Sequence, residues 1–186
     1  MRVLFLFLSC FISVISFSQE NVTNPVSLVD KSKNQQWEVG FYVPDPIPDC
    51  RISLFYFSIG ELVQINEIKY ATILKTENNQ TTIVGYIRND SEKYYFIPKD
   101  SDEEFLLYDF TANVGDKVFI FGEMERLYES KDARDKNPNL AEHIIISVDT
   151  ITVGNSQRRR IQLECGDTWI EGIGSLSGLL YSCDQE

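Results

Sequence analysis

The stretch Tyr86–Gly122, YIRNDSEKYYFIPKDSDEEFLLYDFTANVGDKVFIFG, decides the fold class. Tyr86-Ile87-Arg88 and Tyr94-Tyr95-Phe96-Ile97 are rich in residues that suit a pleated, half-buried surface. Asn89-Asp90-Ser91-Glu92 lies between them, with short polar side chains that accept turn dihedrals and bond nearby backbone. Two such runs joined by a short polar link predict a β-hairpin. Val114-Gly115-Asp116 is a second turn, before Lys117-Val118-Phe119-Ile120-Phe121. Both faces of that last run are apolar, which predicts a strand covered on each side.

Outward from this centre the same grammar repeats. Trp37–Val43 reads as a first strand, and Pro44, Pro46 and Pro48 end it, because proline cannot donate to a ladder. Ile52–Phe57, Glu61–Ile65 and Ile68–Leu74 read as strands, with turns at Asn66-Glu67 and at 77–80 before Thr81–Arg88. Residues 123–142 are dense in charges of both signs. Met124, Leu127 and Tyr128 recur at helical spacing, which predicts a short helix and a loop. His143–Val153 is a long β-favouring run, Gly154-Asn155-Ser156 turns it, and Arg158–Cys165 returns. Leu179-Leu180-Tyr181 reads as a final strand. No helical period is long enough for a βαβ unit, and there is no internal repeat. The expected fold is all-β, a single mainly antiparallel sandwich or open barrel with at most one short helix.

Residues 1–18 stand apart. Arg2 is followed by an apolar run to Phe17, and Ser16-Phe17-Ser18 has small residues where a signal peptidase reads, so cleavage is expected before Gln19. The run is too short to span a bilayer comfortably. Cys10 in Leu8-Ser9-Cys10 looks like a lipoprotein site, but it lies inside the apolar run, which makes that the lesser reading. The domain plan is a signal peptide at 1–18, a flexible polar leader at 19–36 and a β-rich domain at 37–186. The expected location is periplasmic or secreted. The formal charge is -11 and falls to -12 without Arg2, which argues against nucleic acid and anionic membranes as partners. Cys50, Cys165 and Cys183 remain after cleavage. Export permits a disulfide, and Cys165 with Cys183 would close the shorter loop; three buried thiols are the alternative, and any one bridge leaves a thiol over.

No catalytic constellation and no cofactor motif is legible. Asp100-Ser101-Asp102-Glu103-Glu104 lacks the Gly and Glu spacing of a calcium loop and reads as a solvated turn. In Gly172–Gly178 the residue between the inner pair of a nucleophile elbow is Leu176 rather than Ser, so the glycines read as turn formers. His143 is the single histidine. Without a C-x₂-C pair it reads as an ordinary strand-end residue and no metal site is expected. Arg158-Arg159-Arg160 splits across a strand, which predicts cross-strand pairing with acids or, failing that, an anion or glycan contact by Arg158 and Arg160. Tyr94, Tyr95 and Trp169 are the aromatics offered for sugar stacking. Glu171 with Asp109 is the carboxylate pair offered for a hydrolase.

Three pieces in order, Phe105-Leu106-Leu107-Tyr108-Asp109-Phe110, Val114-Gly115-Asp116 and Trp169–Ser175 closing with Gly178-Leu179-Leu180, resemble a group of uncharacterised exported proteins of Bacteroidetes bacteria. The resemblance spans about residues 55 to 183. It implies export and a β-rich domain, and no activity. Relatives often continue into further cysteines and a type IX secretion sorting domain, whereas this sequence stops at Glu186. The resemblance therefore does not extend to surface delivery by that route, and it implies that Cys183 lacks a partner kept by longer relatives. The expected function is a non-enzymatic interaction or structural module of the bacterial envelope, with a glycan- or small-ligand-binding module and a hydrolase as the alternatives. The partner would be a glycan or an envelope protein.

Overall fold

The structure is a computed structural model, and it describes residues 36–43, 51–121, 140–181 and 183. The described residues are all β and turn, with no helix. They form two curled antiparallel sheets packed as a sandwich. The helix expected within 123–142 falls outside the described residues up to 139, and from Leu140 the chain is already strand.

The first sheet is a meander in chain order: β1 (Gln36–Val43), β2 (Arg51–Ile65), β3 (Ile68–Glu77), β4 (Gln80–Asp90), β5 (Lys93–Pro98) and β6 (Phe105–Asp109). The two runs read as separate strands before Ile68 are one long strand, β2. A register shift between Ile59 and Leu62 absorbs the break at Gly60-Glu61. Asn66, Asn78 and Ser91 turn with positive φ at the three hairpin tips, as short polar residues do most readily.

The chain crosses at 110–116 to the second sheet, ordered β11 (Gly174–Ser175), β10 (Thr168–Ile170), β9 (Ser156–Leu163), β8 (Leu140–Val153) and β7 (Lys117–Phe121). Among the described residues β7 ends its sheet, and one of its faces is open: Phe119 is 51 % exposed while Val118 is buried, which corrects the expectation of a strand covered on both faces. The alternation does not carry through to Phe121, whose ring leaves the pattern to meet Phe96 at 5.0 Å and Phe105 at 5.4 Å.

The core lies between the sheets and is aromatic at its centre. Trp169 meets Tyr108 edge-on at 5.3 Å and Phe110 at 6.4 Å, and Tyr94 meets Phe110 at 6.0 Å. Such edge-to-face pairs contribute about 0.5–1.5 kcal/mol each beyond their buried area.

Residues 171–181 close the sandwich. Apart from the two-residue strand β11 they are turns and loop, and residues 179–181 do not form the final strand expected there. Trp37 Nε1 donates to Ile173 O at 2.8 Å, Tyr108 donates to Leu179 O, and Tyr181 packs on Phe55 and Phe57. Close approach explains the glycines here. A Cβ on Gly178 would stand 2.9 Å from a Val39 methyl, and one on Gly174 would stand 3.1 Å from the Tyr108 ring. Both positions also have positive φ. Asp167 anchors the segment from inside: its Oδ1 accepts from Thr168 N, Ser175 Oγ and Ser177 Oγ at 2.7–2.9 Å.

Candidate functional site

The residues offered for ligand binding are not brought together. Tyr94 and Tyr95 lie on β5 in the first sheet, and Arg158, Arg160 and Trp169 lie on β9 and β10 in the second. Trp169 is fully buried and Tyr94 is 4 % exposed, so neither ring offers a face to a sugar. The stacking platform expected of them is corrected accordingly, because the core between the sheets claims both rings. Tyr95 points the other way and is half-buried beneath Arg88, whose guanidinium carbon sits 4.2 Å from the ring centre.

The basic cluster divides as the strand alternation requires. Arg160 makes a two-pronged bond to Asp149 across the β8–β9 pair, with Nε to Oδ1 at 2.8 Å. That is the cross-strand pairing expected of it. Arg159 reaches across to the crossing loop and donates to Ala112 O at 2.7 Å. Arg158 is 8 % exposed and its guanidinium donates to Glu171 O at 3.3 Å. The Nε atoms of Arg158 and Arg159 are buried without partners among the described residues.

The carboxylates offered for hydrolysis are each held. Asp109 Oδ1 accepts from Thr111 N at 2.9 Å and from its hydroxyl, and Oδ2 pairs with Lys93 Nζ at 2.8 Å. Burial pushes the Asp109 carboxyl upward, but the bonds from Lys93 and Thr111 outweigh it and hold the group below its usual range. A general acid needs the opposite shift. Glu171 Oε2 accepts from Arg159 N at 3.1 Å, clamping the end of β10 to β9.

One polar cluster was missed from the sequence. On the first sheet Arg88 Nε and Nη2 grip Glu104 Oε1 and Oε2 at 2.7 and 2.6 Å, and Tyr70 OH donates to Glu104 Oε1 at 2.7 Å. The Arg88 bond holds the Glu104 carboxyl below its usual range, with Tyr70 adding to the effect and burial opposing it. Burial pushes the Tyr70 phenol up, and the Glu104 bond adds to that. Arg88 stands opposite Tyr95 because β4 runs on to Asp90, two residues beyond the end the sequence suggested. Glu104 was not legible, because nothing local tells which acid of residues 100–104 turns back onto the sheet. The cluster ties the β5–β6 loop down; its charges neutralise one another.

Cys165 and Cys183 form a disulfide, with Cα atoms 5.5 Å apart and a sequence separation of 18. Cys183 thus has its partner within this chain, contrary to what the resemblance implies. Cys10 and Cys50 lie outside the described residues. His143 is inside β8 rather than at a strand end, and it is not alone. A ring nitrogen and the two sulfurs lie within 4.8 Å of one another at a half-buried corner. Large apolar side chains are exposed on both sheets, among them Leu54, Leu62, Ile68 and Ile83 on β2–β4 and Phe119 and Ile146 on β7–β8. No helix among the described residues is long and apolar enough to cross a membrane.

No protein family, curated protein or solved structure matches the chain.

Proposed function

We propose that this chain is an exported, non-catalytic β-domain that serves as an interaction module of the bacterial envelope. The observation that carries the reading is the state of the carboxylates. Asp109, Glu171, Glu104 and Asp167 each accept from a backbone or side-chain partner that positions a strand or loop. Groups committed to the frame are poor choices for proton transfer. The exposed apolar side chains instead offer contact area. Leu62, 63 % exposed, and Ile68, 45 % exposed, stand near the β2–β3 turn and project from opposite faces of that hairpin. The leader read from residues 1–18 and the resemblance to exported proteins support the location, and the Cys165–Cys183 disulfide is consistent with an oxidising, extracytoplasmic compartment.

The test has two arms. The folded domain is first screened against ester, glycoside, peptide and phosphate substrates; turnover abolished by Asp109→Asn or Glu171→Gln overturns the reading. The domain is then sedimented with an envelope fraction of a Bacteroidetes host. Retention by wild type, and at least about tenfold weaker retention of either Leu62→Asp or Ile68→Asp, is expected, since a charge at the centre of an apolar contact costs a few kcal/mol and the two variants probe opposite faces of the hairpin. Retention of both variants equal to that of wild type removes the assigned contact.

A further inference from the structure

We propose that reducing the Cys165–Cys183 disulfide opens a Zn²⁺ site whose ligands are the two cysteine thiolates and the imidazole of His143. The three donor atoms already lie within 4.8 Å of one another, at a half-buried corner. In a tetrahedral Zn²⁺ site with Zn–S of about 2.3 Å and Zn–N of about 2.0–2.1 Å, ligand atoms stand roughly 3.5–3.8 Å apart. The sulfurs must part by side-chain rotation to reach that spacing, and a Cα–Cα distance of 5.5 Å permits it.

Two of the donors ride on one rigid piece of backbone. His143 lies on β8 and Cys165 just beyond β9. There Glu164 N donates to Ile144 O at 3.0 Å, and Ile144 N donates to Glu164 Oε1 at 3.2 Å. Gly166 N donates to Leu163 O at 3.0 Å, which fixes the turn that carries Cys165. Imidazole and thiolate are therefore presented together, and only Cys183 has to adjust. The Glu164 carboxylate beside them adds negative charge at the rim.

The chemistry balances without further groups. A dithiol reductant exchanges with the disulfide: the Cys165–Cys183 S–S bond breaks, two thiols form, and the reductant leaves as its own disulfide, having supplied two electrons and two protons. Zn²⁺ then displaces the two thiol protons and accepts neutral imidazole as third ligand, with water completing the tetrahedron. The ion would replace the covalent staple between the β9–β10 turn and the segment that ends at Cys183. Residues 171–181 would then stay docked in either redox state.

The experiment uses the full chain with Cys10→Ser and Cys50→Ser, so that no other thiol contributes. It is compared oxidised and after reduction by a phosphine, which leaves Zn²⁺ free. Titration with Zn²⁺ should give one ion per reduced chain, at least about 100-fold tighter than for the oxidised chain. Co²⁺ as reporter should show thiolate charge-transfer and tetrahedral d–d bands. His143→Ala, which leaves the disulfide intact and can be checked for folding in its oxidised form, should bind at least about tenfold more weakly. Zn²⁺ should also raise the melting temperature of the reduced chain and not of the oxidised one. The proposal is overturned by equal affinity of the two redox forms, by unchanged affinity in His143→Ala, by binding that persists in denaturing urea, or by a reduced chain that unfolds and takes up no ion.

Discussion

Replacing Tyr108 with Phe removes a single oxygen from the centre of the molecule. The hydroxyl donates to Leu179 O, and both residues are fully buried. The backbone N–H of Ser175 also points toward it. Without the hydroxyl a carbonyl and an N–H lose a partner where water does not reach, at a cost of about 1–3 kcal/mol. With a urea m-value of about 2 kcal/mol/M, the midpoint should fall by about 1 M at pH 7. The same group carries a pH signature. Burial pushes the Tyr108 phenol far above its ordinary value, and the Asp167 carboxylate adds to the effect. Above pH ~10 the unfolded chain releases the phenolic proton while the folded chain keeps it. The unfolded state then binds fewer protons, and stability falls by about 1.4 kcal/mol per pH unit. Tyr108→Phe lacks that term, so the gap between wild type and variant should close between pH 10 and 11.5. Urea melts at pH 7, 9, 10.5 and 11, with the disulfide intact, measure it. A shift under about 0.2 M at pH 7, or a gap that ignores pH, would refute the role given to the hydroxyl.

Three further outcomes follow from the same geometry. Glu104→Gln should cost about 1–2 kcal/mol at pH 7, a figure discounted for partial exposure. Because Arg88 holds the wild-type carboxyl down, the stability it contributes is present above pH ~4.3 and is lost as pH falls through its lower folded value; acid unfolding of the variant should be correspondingly shallower by circular dichroism. Gly85→Ala places a Cβ 2.5 Å from Ile97 O and 2.3 Å from the Phe96 ring, and forcing the β4–β5 pair apart should cost about 2–3 kcal/mol. An unchanged melting curve would show that the strands yield freely. Cys165→Ala with Cys183→Ala removes a cross-link spanning 18 residues and should cost about 3 kcal/mol in calorimetry, most of it through the unfolded chain.

The hairpins of the first sheet were legible because their signals are local. Alternation places Tyr94 inward and Tyr95 outward, and the tips at Asn66, Asn78 and Ser91 carry short polar residues. Alternation does not say which faces meet a second layer, and so Phe119, which is exposed, was assigned a covering layer. Nor does it tell a core aromatic from a stacking platform. Trp169 is claimed by Tyr108 and Phe110, residues about 60 positions earlier, and only the packing of one sheet on the other decides that. Glu104 and His143 were opaque for the same reason. Their partners arrive through the loop return at 99–104 and through the docking of the segment that ends at Cys183. The Gly172–Gly178 run was read correctly as a turn former, because positive φ is a property of the residue itself.

The way residues 171–181 shut the sandwich also sets the order in which this molecule can mature. Trp37 waits for Ile173, a contact across 136 positions, and the rings of Phe55 and Phe57 wait for Tyr181. A ribosome delivers those partners more than a hundred residues after the strands they cover. Until it has done so, the Trp37 indole and the two phenylalanine rings lack these contacts.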